Sequence, residues 1–253
     1  MISKAQIKRI SSLRQAKFRD EEKVFVVEGV KIVQELLESQ ISIKTICATK
    51  DWIEENINKA SKFTKEIIEV SQEELKKISS LSTPNQVLAV LNQIGEKEIK
   101  YKENYVLVLD GIKDPGNLGT IIRVADWFGI EDIVCSEDTV DLYNPKTIQS
   151  TMGSFLRVNV SYKDIYLMLS NLQDFPIYGT ILEKGMNIYE TNLEREGIII
   201  IGSESHGISP QISPLITHPI TIPSFSKGQG PESLNASIAT SIICSEFKRK
   251  LKI

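Results

Sequence analysis

Two short runs of large apolar residues constrain the fold more than any other feature of this sequence. Residues 105–109 read YVLVL and residues 197–201 read GIIII, without a charged side chain in either run. Unbroken apolar runs of this length are typical of strands buried on both faces, as in parallel sheets covered by helices. A glycine-bearing turn follows each run. The second half of the chain is therefore predicted to form a parallel α/β sheet.

The first half of the chain predicts a smaller unit in which strands and helices alternate. Apolar runs at 25–27, 43–48, 67–70 and 86–91 predict four strands. Residues 1–19 predict one amphipathic helix with Ile7, Ile10 and Leu13 on its apolar side. The helix is basic, because the segment contains six Lys or Arg residues and no acid. The polar stretch that follows predicts a linker. The expected division is a domain at 1–93, a linker at 94–103 and a second domain at 104–253.

Composition narrows the class of protein. With 253 residues, 41% hydrophobic and 25% charged, the chain reads as globular. Its three cysteines lie far apart and form neither a disulfide framework nor a zinc motif, which favours a reducing cytoplasm. No apolar run approaches the roughly 18 residues of a membrane span, and no signal peptide is evident. The net charge of −3 argues against a protein whose whole surface is basic. Local clusters of Lys and Arg are still compatible with contact to the phosphate backbone of a nucleic acid.

The last thirty residues predict a loop followed by a helix. Glycines and prolines between 222 and 232 exclude a regular element there. Residues 233–247 carry apolar side chains at helical spacing, with Ser233 as the expected N-cap. A loop that delivers Ser233, Leu234 and Asn235 onto a helix start suits a polar ligand, because backbone N–H groups are free there.

Elimination leaves a small set of polar residues for chemistry. The chain has no dinucleotide-binding fingerprint, no P-loop and no G-x-S-x-G nucleophile turn. A Ser-His-Asp catalytic triad could combine Ser205 or Ser233 with His206 or His218, but no nucleophile turn supports it. The remaining candidates lie near the ends of predicted strands: Asn117, Arg123, Glu204, Ser233 and Asn235. Asn117 is also the expected N-cap of a helix that runs through Phe128.

Three phrases around these residues resemble the motifs of one family. Residues 117–125 (NLGTIIRVA), 202–208 (GSESHGI) and 222–223 (IP) with 232–239 (ESLNASIA) are similar, in order and spacing, to those of the SpoU (TrmH-type) RNA 2′-O-ribose methyltransferases. The likeness covers about residues 104–250. The first ninety residues resemble the small RNA substrate-binding domain that often precedes it. The third phrase departs from the pattern, because residues 222–234 are a few residues longer and Ala236 replaces a more usual valine, which leaves the loop 224–232 open.

The resemblance implies a SPOUT fold, an α/β domain whose C-terminal segment forms a trefoil knot. It also implies S-adenosylmethionine as cofactor, without a metal, because the methyl donor is already a sulfonium. SPOUT enzymes generally form homodimers with the active site at the interface, and the small side chains Ala236, Ser237 and Thr240 would allow close helix packing there. Carried over by position, the cofactor would be held by Thr180, Ile181, Leu182, Gly202, Ile222, Ser233 and Leu234.

The same resemblance suggests roles for the polar residues. The family assigns proton removal from the ribose to the arginine that corresponds to Arg123. Arginine is effectively always protonated and is therefore a poor base. A second role stays open, in which Arg123 clamps the adjacent phosphate and stabilises the developing oxyanion. Asn117 would orient Arg123 or the ribose, and Glu204 would position its neighbours. Ser233 and Asn235 would bond substrate or loop backbone.

The predicted function is methyl transfer from S-adenosylmethionine to a ribose 2′-hydroxyl of RNA, with ribosomal RNA favoured over transfer RNA. The N-terminal domain would grip RNA through Arg14, Lys17, Arg19 and Lys31. Three alternatives stay open: a tRNA 2′-O-methyltransferase, a catalytically silent RNA-binding protein of the same fold, and a base methyltransferase.

Overall fold

The computed structural model describes residues 2–172, 174–182, 185–226 and 233–250. The chain divides into two compact units. The first contains residues 1–95 together with 141–156, and the second contains residues 96–140 and 157–253. The segment 141–156 thus groups with the first unit, whereas the sequence division places it inside the second domain. The predicted domain boundaries stay a prediction.

The first ninety-five residues contain five helices and four strands within the described range. In chain order they are α1 (Lys4–Ser12), α2 (Ala16–Glu22), β1 (Val24–Glu28), α3 (Val30–Glu38), β2 (Thr45–Ala48), α4 (Lys50–Ala60), β3 (Ile67–Glu69), α5 (Gln72–Ile78) and β4 (Val87–Asn92).

The described part of the remaining chain adds seven strands and four α-helices. They are β5 (Tyr105–Asp110), α6 (Pro115–Trp127), β6 (Asp132–Cys135), α7 (Pro145–Thr151), β7 (Asn159–Tyr162), α8 (Ile165–Ser170), β8 (Ile177–Thr180), β9 (Met186–Asn187), β10 (Gly197–Gly202), β11 (His218–Thr221) and α9 (Ala236–Lys250).

The basic N-terminal segment forms two helices, so the prediction of a single helix over residues 1–19 is wrong. A capping box between Ser3 and Gln6 begins α1. The chain then leaves the helical conformation at Gln15, whose φ of −94° and ψ of 135° are extended. The bend brings the Arg19 guanidinium onto the carbonyl groups of Leu13 and Arg14, which have no helical partner at this break.

The first unit is built on a four-stranded sheet in the order β1-β4-β2-β3. Strand β4 is antiparallel to β1 and β2, whereas β2 and β3 are parallel. Helix α7 of the segment 141–156 packs on β1. The ring of Phe25 lies 4.7 Å from that of Tyr143 and 5.7 Å from that of Phe155, centroid to centroid. This aromatic cluster explains why the segment belongs to the first unit.

The second unit is built on a seven-stranded sheet in the order β7-β6-β5-β10-β8-β11-β9. Every pair of neighbours is parallel. The two apolar runs of the sequence are its central strands, with Gly202 of β10 in register with Asp110 of β5. The predicted parallel α/β sheet is confirmed. Because the strands share one direction, the loops after β8, β10 and β11 leave from the same edge, where such sheets bind ligands.

Within the described ranges, no helix is both long and apolar enough to cross a lipid bilayer. The free cysteines Cys47, Cys135 and Cys244 are all buried. The trefoil knot stays a prediction.

Candidate active site

A cavity of about 360 Å³ opens at the carboxyl edge of the second sheet. Its walls come from the segments that follow β8, β10 and β11 and from the start of α9. The structure places all seven residues of the predicted cofactor cradle in this lining: Thr180, Ile181, Leu182, Gly202, Ile222, Ser233 and Leu234. Three segments that lie far apart in the sequence therefore meet around one space. Residues 227–232 of the third loop lie outside the described residues.

A hydrogen-bond network joins the three motif segments beside this cavity. The side-chain amide of Asn117 donates to Oε1 of Glu204. The amide of Asn235 donates to Oδ1 of Asn117 over 3.0 Å, and the backbone N–H of Ala236 donates to Glu204 Oε1 over 3.4 Å. Glu204 itself lines the cavity. Asn117, Glu204 and Asn235, one from each motif, thus hold the loops in one arrangement.

Both helices that enter this network begin differently from the sequence expectation. Asn117 was expected to cap α6, but the helix begins at Pro115 and the carboxylate of Asp114 accepts from the Asn117 N–H over 2.9 Å. The cap prediction is therefore wrong, and its failure leaves the Asn117 side chain available to reach Glu204.

The expected cap at Ser233 is also wrong, because α9 begins at Ala236. The side chain of Asn235 caps this helix: its Oδ1 accepts from the N–H groups of Ser237 at 3.0 Å and Ile238 at 3.3 Å. One amide group therefore starts the helix with its oxygen and holds Asn117 with its nitrogen. Ser233 stays exposed at the cavity.

The glycines of the second motif allow a tight closure of the loop after β10. Ser203 and Gly207 exchange two backbone hydrogen bonds, of 3.1 and 2.9 Å. Gly207 has a φ of +66°, in the left-handed region that favours glycine. A Cβ on Gly202 would stand 2.2 Å from the Gly207 carbonyl carbon. The cavity wall is therefore formed by a backbone approach that only glycine permits.

The cavity is mainly apolar. Among the described residues that line it, Glu204 is the only charged one. The search of the described residues found no cluster of three or more His, Cys, Asp or Glu that could hold a metal ion. Apolar side chains such as Ile222 and Leu234 suit an adenosyl group better than a polyphosphate.

Arg123 lies outside this assembly. It is exposed on α6, does not line the cavity, and makes no hydrogen bond or ion pair within the described ranges. One turn further along α6, Trp127 is 84% exposed. Leu234 and Ile238, at the start of α9, are 43% and 51% exposed. Within the described residues, Arg123 is therefore unpaired and lies one turn of α6 from the exposed side chain of Trp127.

The small side chains of α9 face inward. Ala236, Ser237 and Thr240, which were expected to allow close packing between subunits, are buried within the chain. Helices α6 and α9 pack on each other. The expectation that they form a subunit contact is wrong.

The four residues predicted to grip RNA divide into two groups. Arg14, Lys17 and Lys31 are exposed. Arg19 is only 2% exposed, donates to the Leu13 and Arg14 carbonyls over 2.9 Å, and forms an ion pair of 2.5 Å with Asp141. Burial leaves Arg19 unable to meet a phosphate, so its role is structural.

The parallel sheet, the cavity at its carboxyl edge and the network of three motifs define a methyltransferase of the SPOUT type. A model of the SpoU rRNA methylase family matches residues 104–245, and a model of the MRM3-like substrate binding domain matches residues 4–89. The chain belongs to the SpoU rRNA methylase family.

Individual relatives are similar to this protein over nearly its full length. A structure from Porphyromonas gingivalis, assigned to the TrmH family of RNA methyltransferases, is 36% identical with a TM-score of 0.85 and covers 99% of both chains. The AdoMet-bound rRNA methyltransferase of Sinorhizobium meliloti is 26% identical with a TM-score of 0.87, covering 100% of this chain and 98% of that one. The Bacillus subtilis 23S rRNA (guanosine(2553)-2′-O)-methyltransferase is 29% identical, covering 94% of each chain. The predictions of an RNA methyltransferase and of S-adenosylmethionine as cofactor are confirmed at the level of this family.

Proposed function

We propose that this protein transfers the methyl group of S-adenosylmethionine to a ribose 2′-hydroxyl of ribosomal RNA. The observation that carries the proposal is the convergence of the segments after β8, β10 and β11 on one cavity. Beside it, Asn117, Glu204 and Asn235 join the three motif segments by hydrogen bonds. The Bacillus subtilis relative, similar over nearly the whole chain, acts on a guanosine 2′-oxygen of 23S rRNA, which supports the ribosomal substrate.

The cavity residues fit the cofactor by shape and polarity. The sulfonium supplies a methyl group that a nucleophilic oxygen can accept without a metal. Ile222 and Leu234 offer apolar surface to the adenine, and the backbone around Gly202 offers hydrogen bonds at close approach. Catalysis then consists mainly of holding the ribose oxygen in line with the methyl carbon and excluding water.

The remaining need is a positive charge beside the ribose, which the described part of a single chain does not place at the cavity. In the proposed homodimer, Arg123 of the partner subunit enters the site and pairs with the phosphate next to the reacting ribose. Its fixed charge stabilises the negative charge that develops on the 2′-oxygen. The exposed face formed by Trp127, Leu234 and Ile238 is the proposed contact between subunits. The homodimer, the cytoplasmic location and the absence of a metal stay predictions.

The proposal is tested with the purified protein, radiolabelled S-adenosylmethionine, and ribosomal and transfer RNA from cells that lack the gene. The expected result is label in ribosomal RNA that nuclease digestion and mass spectrometry assign to a 2′-O-methylated nucleotide. Label in transfer RNA would favour the tRNA alternative, and a methylated base would favour base methylation. RNA binding without transfer, under conditions where the cofactor binds, would identify a silent binding protein.

The Asn117→Ala variant should lower kcat about tenfold, because the loop that carries Glu204 loses one of its fixed partners. The Kd for S-adenosylmethionine should change less, since Asn117 does not line the cavity. Thr120, also on α6, bonds only its own helix through Gly116, so Thr120→Ala is the control. Equal kcat values for Asn117→Ala and the control would contradict a positioning role.

Arg19→Ala should lower stability, whereas Lys17→Ala should weaken RNA binding. Loss of the buried Arg19 guanidinium leaves two carbonyl groups and Asp141 without their partner, so the free energy of unfolding should fall by about 3 kcal/mol. Lys17 is exposed, so its replacement should leave stability unchanged and weaken RNA binding with a shallower salt dependence. Urea denaturation and filter binding measure the two effects. A stable Arg19→Ala protein with impaired RNA binding would reverse this assignment.

A further inference from the structure

A second cavity lies entirely within the first unit and has no part in the site described above. Its volume is about 530 Å³. The lining comes from β1, from the turn after α5 and from α7. Apolar side chains of Val26, Leu81 and Ile148 contribute alongside charged, amide and hydroxyl groups. A concave space of this size with apolar walls and a few polar groups has the usual form of a small-ligand site.

One wall of this cavity carries a carboxylate in a fixed position. Glu28, at the end of β1, is 6% exposed. It accepts from the hydroxyl of Ser79 and, over 2.8 Å, from the N–H of Ser80. Arg14 donates to the carbonyl group of the same Ser79. The Arg14 guanidinium and the Glu28 carboxylate are therefore both held at the turn that contains Ser79. A carboxylate held in this way is a preorganised acceptor for a ligand N–H group.

Three further polar side chains line the cavity without using their hydrogen-bonding groups. Within the described residues, no side-chain hydrogen bond is found for Ser80, Gln149 or Ser150. The amide of Gln149 is the most informative, because it offers donors and an acceptor together. Ser80 is exposed and Gln149 and Ser150 are half-buried, so all three side chains are accessible and have hydrogen-bonding capacity to offer a ligand.

We propose that this cavity binds one unstacked ribonucleotide of the RNA substrate, an inference that rests on the proposed function. Single-stranded RNA is recognised by bases that leave the stack and present their edges to side chains. The apolar walls cover the faces of the base, while Glu28 and Gln149 meet its edge. The exposed guanidinium of Arg14 pairs with a phosphate. Guanine fits best, because its adjacent ring N–H and amino group both donate and a carboxylate accepts both.

The first test is the Michaelis constant for RNA. Gln149→Ala, in the full-length protein, should raise the KM for RNA about tenfold, the scale of one base contact, with kcat and the Kd for S-adenosylmethionine unchanged. Gln149→Leu, which keeps the bulk and loses the hydrogen bonds, should behave the same. Gln72→Ala removes an exposed glutamine of the same unit that does not line the cavity, and it should match wild type.

The second test uses mononucleotides as probes and does not depend on catalysis. Calorimetry should show that GMP binds the wild-type protein more tightly than UMP, and that Gln149→Ala removes the preference. Equal affinities for the two nucleotides, or a Gln149→Ala protein with the KM of Gln72→Ala, would overturn the subsite. A wild-type protein that methylates no RNA but still prefers GMP would refute the proposed function and leave the subsite standing.

Discussion

Arg123→Ala is expected to lower kcat by about 10²–10³-fold, the usual loss when one group that stabilises developing charge is removed. The Kd for S-adenosylmethionine should not change, because Arg123 does not line the cavity. Arg123→Lys keeps the charge but loses the planar pair of donors, so it should recover only part of the activity. Single-turnover kinetics with saturating cofactor measures both variants. An Arg123→Ala enzyme with wild-type turnover would remove this residue from the mechanism.

Hybrid dimers decide whether Arg123 acts across the subunit boundary. A chain with Arg123→Ala keeps its cavity, and a chain with a cavity-blocking substitution keeps its arginine. Because a two-fold dimer has two equivalent sites, mixing the two inactive proteins restores one complete site in each hybrid. Random exchange makes half of the dimers hybrid, so about a quarter of wild-type activity should return. A mixture as inactive as its two parents would show that Arg123 serves its own chain.

The central strands were predictable because a strand that is buried on both faces needs an unbroken run of apolar residues. Residues 105–109 and 197–201 form the predicted strands β5 and β10, and both are flanked by parallel neighbours. The order of the strands was not predictable, since β10 pairs with β5 across ninety residues and nothing local records such a pairing. Sequence motifs, rather than periodicity, indicated that the loops after these strands would meet.

The helix starts were harder to predict because several residues compete for each cap. Asp114 and Asn117 both have side chains that can cap, and the proline at 115, favoured in the first turn, decides for Asp114. At α9 the same competition is between Ser233 and Asn235. These shifts of two or three residues matter, because they turn Asn117 and Asn235 toward each other.

The burial of Arg19 could not be predicted from the sequence. Arg19 belongs to a cluster of basic residues, which made it a candidate for RNA contact beside Arg14 and Lys17. Its partner Asp141 lies 122 residues away along the chain. Asp141 belongs to the segment 141–156, which packs on the first unit through the aromatic cluster around Phe25. Only a spatial arrangement reveals such a pair, so composition alone assigned Arg19 to the wrong environment.

Gly202→Ala should weaken the binding of S-adenosylmethionine about a hundredfold. The new methyl group would lie 2.2 Å from the Gly207 carbonyl carbon and 2.4 Å from the Ile208 nitrogen. Both atoms belong to the backbone, so the loop cannot relieve the clash by rotating a side chain. The two hydrogen bonds between Ser203 and Gly207 would have to open. Displacements of about 1 Å in such sites cost roughly a hundredfold, so calorimetry should show a Kd for S-adenosylmethionine raised by about that factor.

A matched glycine separates this local effect from a general effect of alanine. A Cβ on Gly95 would meet no atom within 4 Å, so Gly95→Ala should bind the cofactor like wild type. Thermal unfolding of both variants checks that the fold persists, since overpacking alone is expected to cost about 1–3 kcal/mol. If Gly202→Ala were folded and bound S-adenosylmethionine as tightly as Gly95→Ala, the cofactor would have to lie away from the loop after β10. The cavity at the carboxyl edge of the second sheet could then no longer be its site.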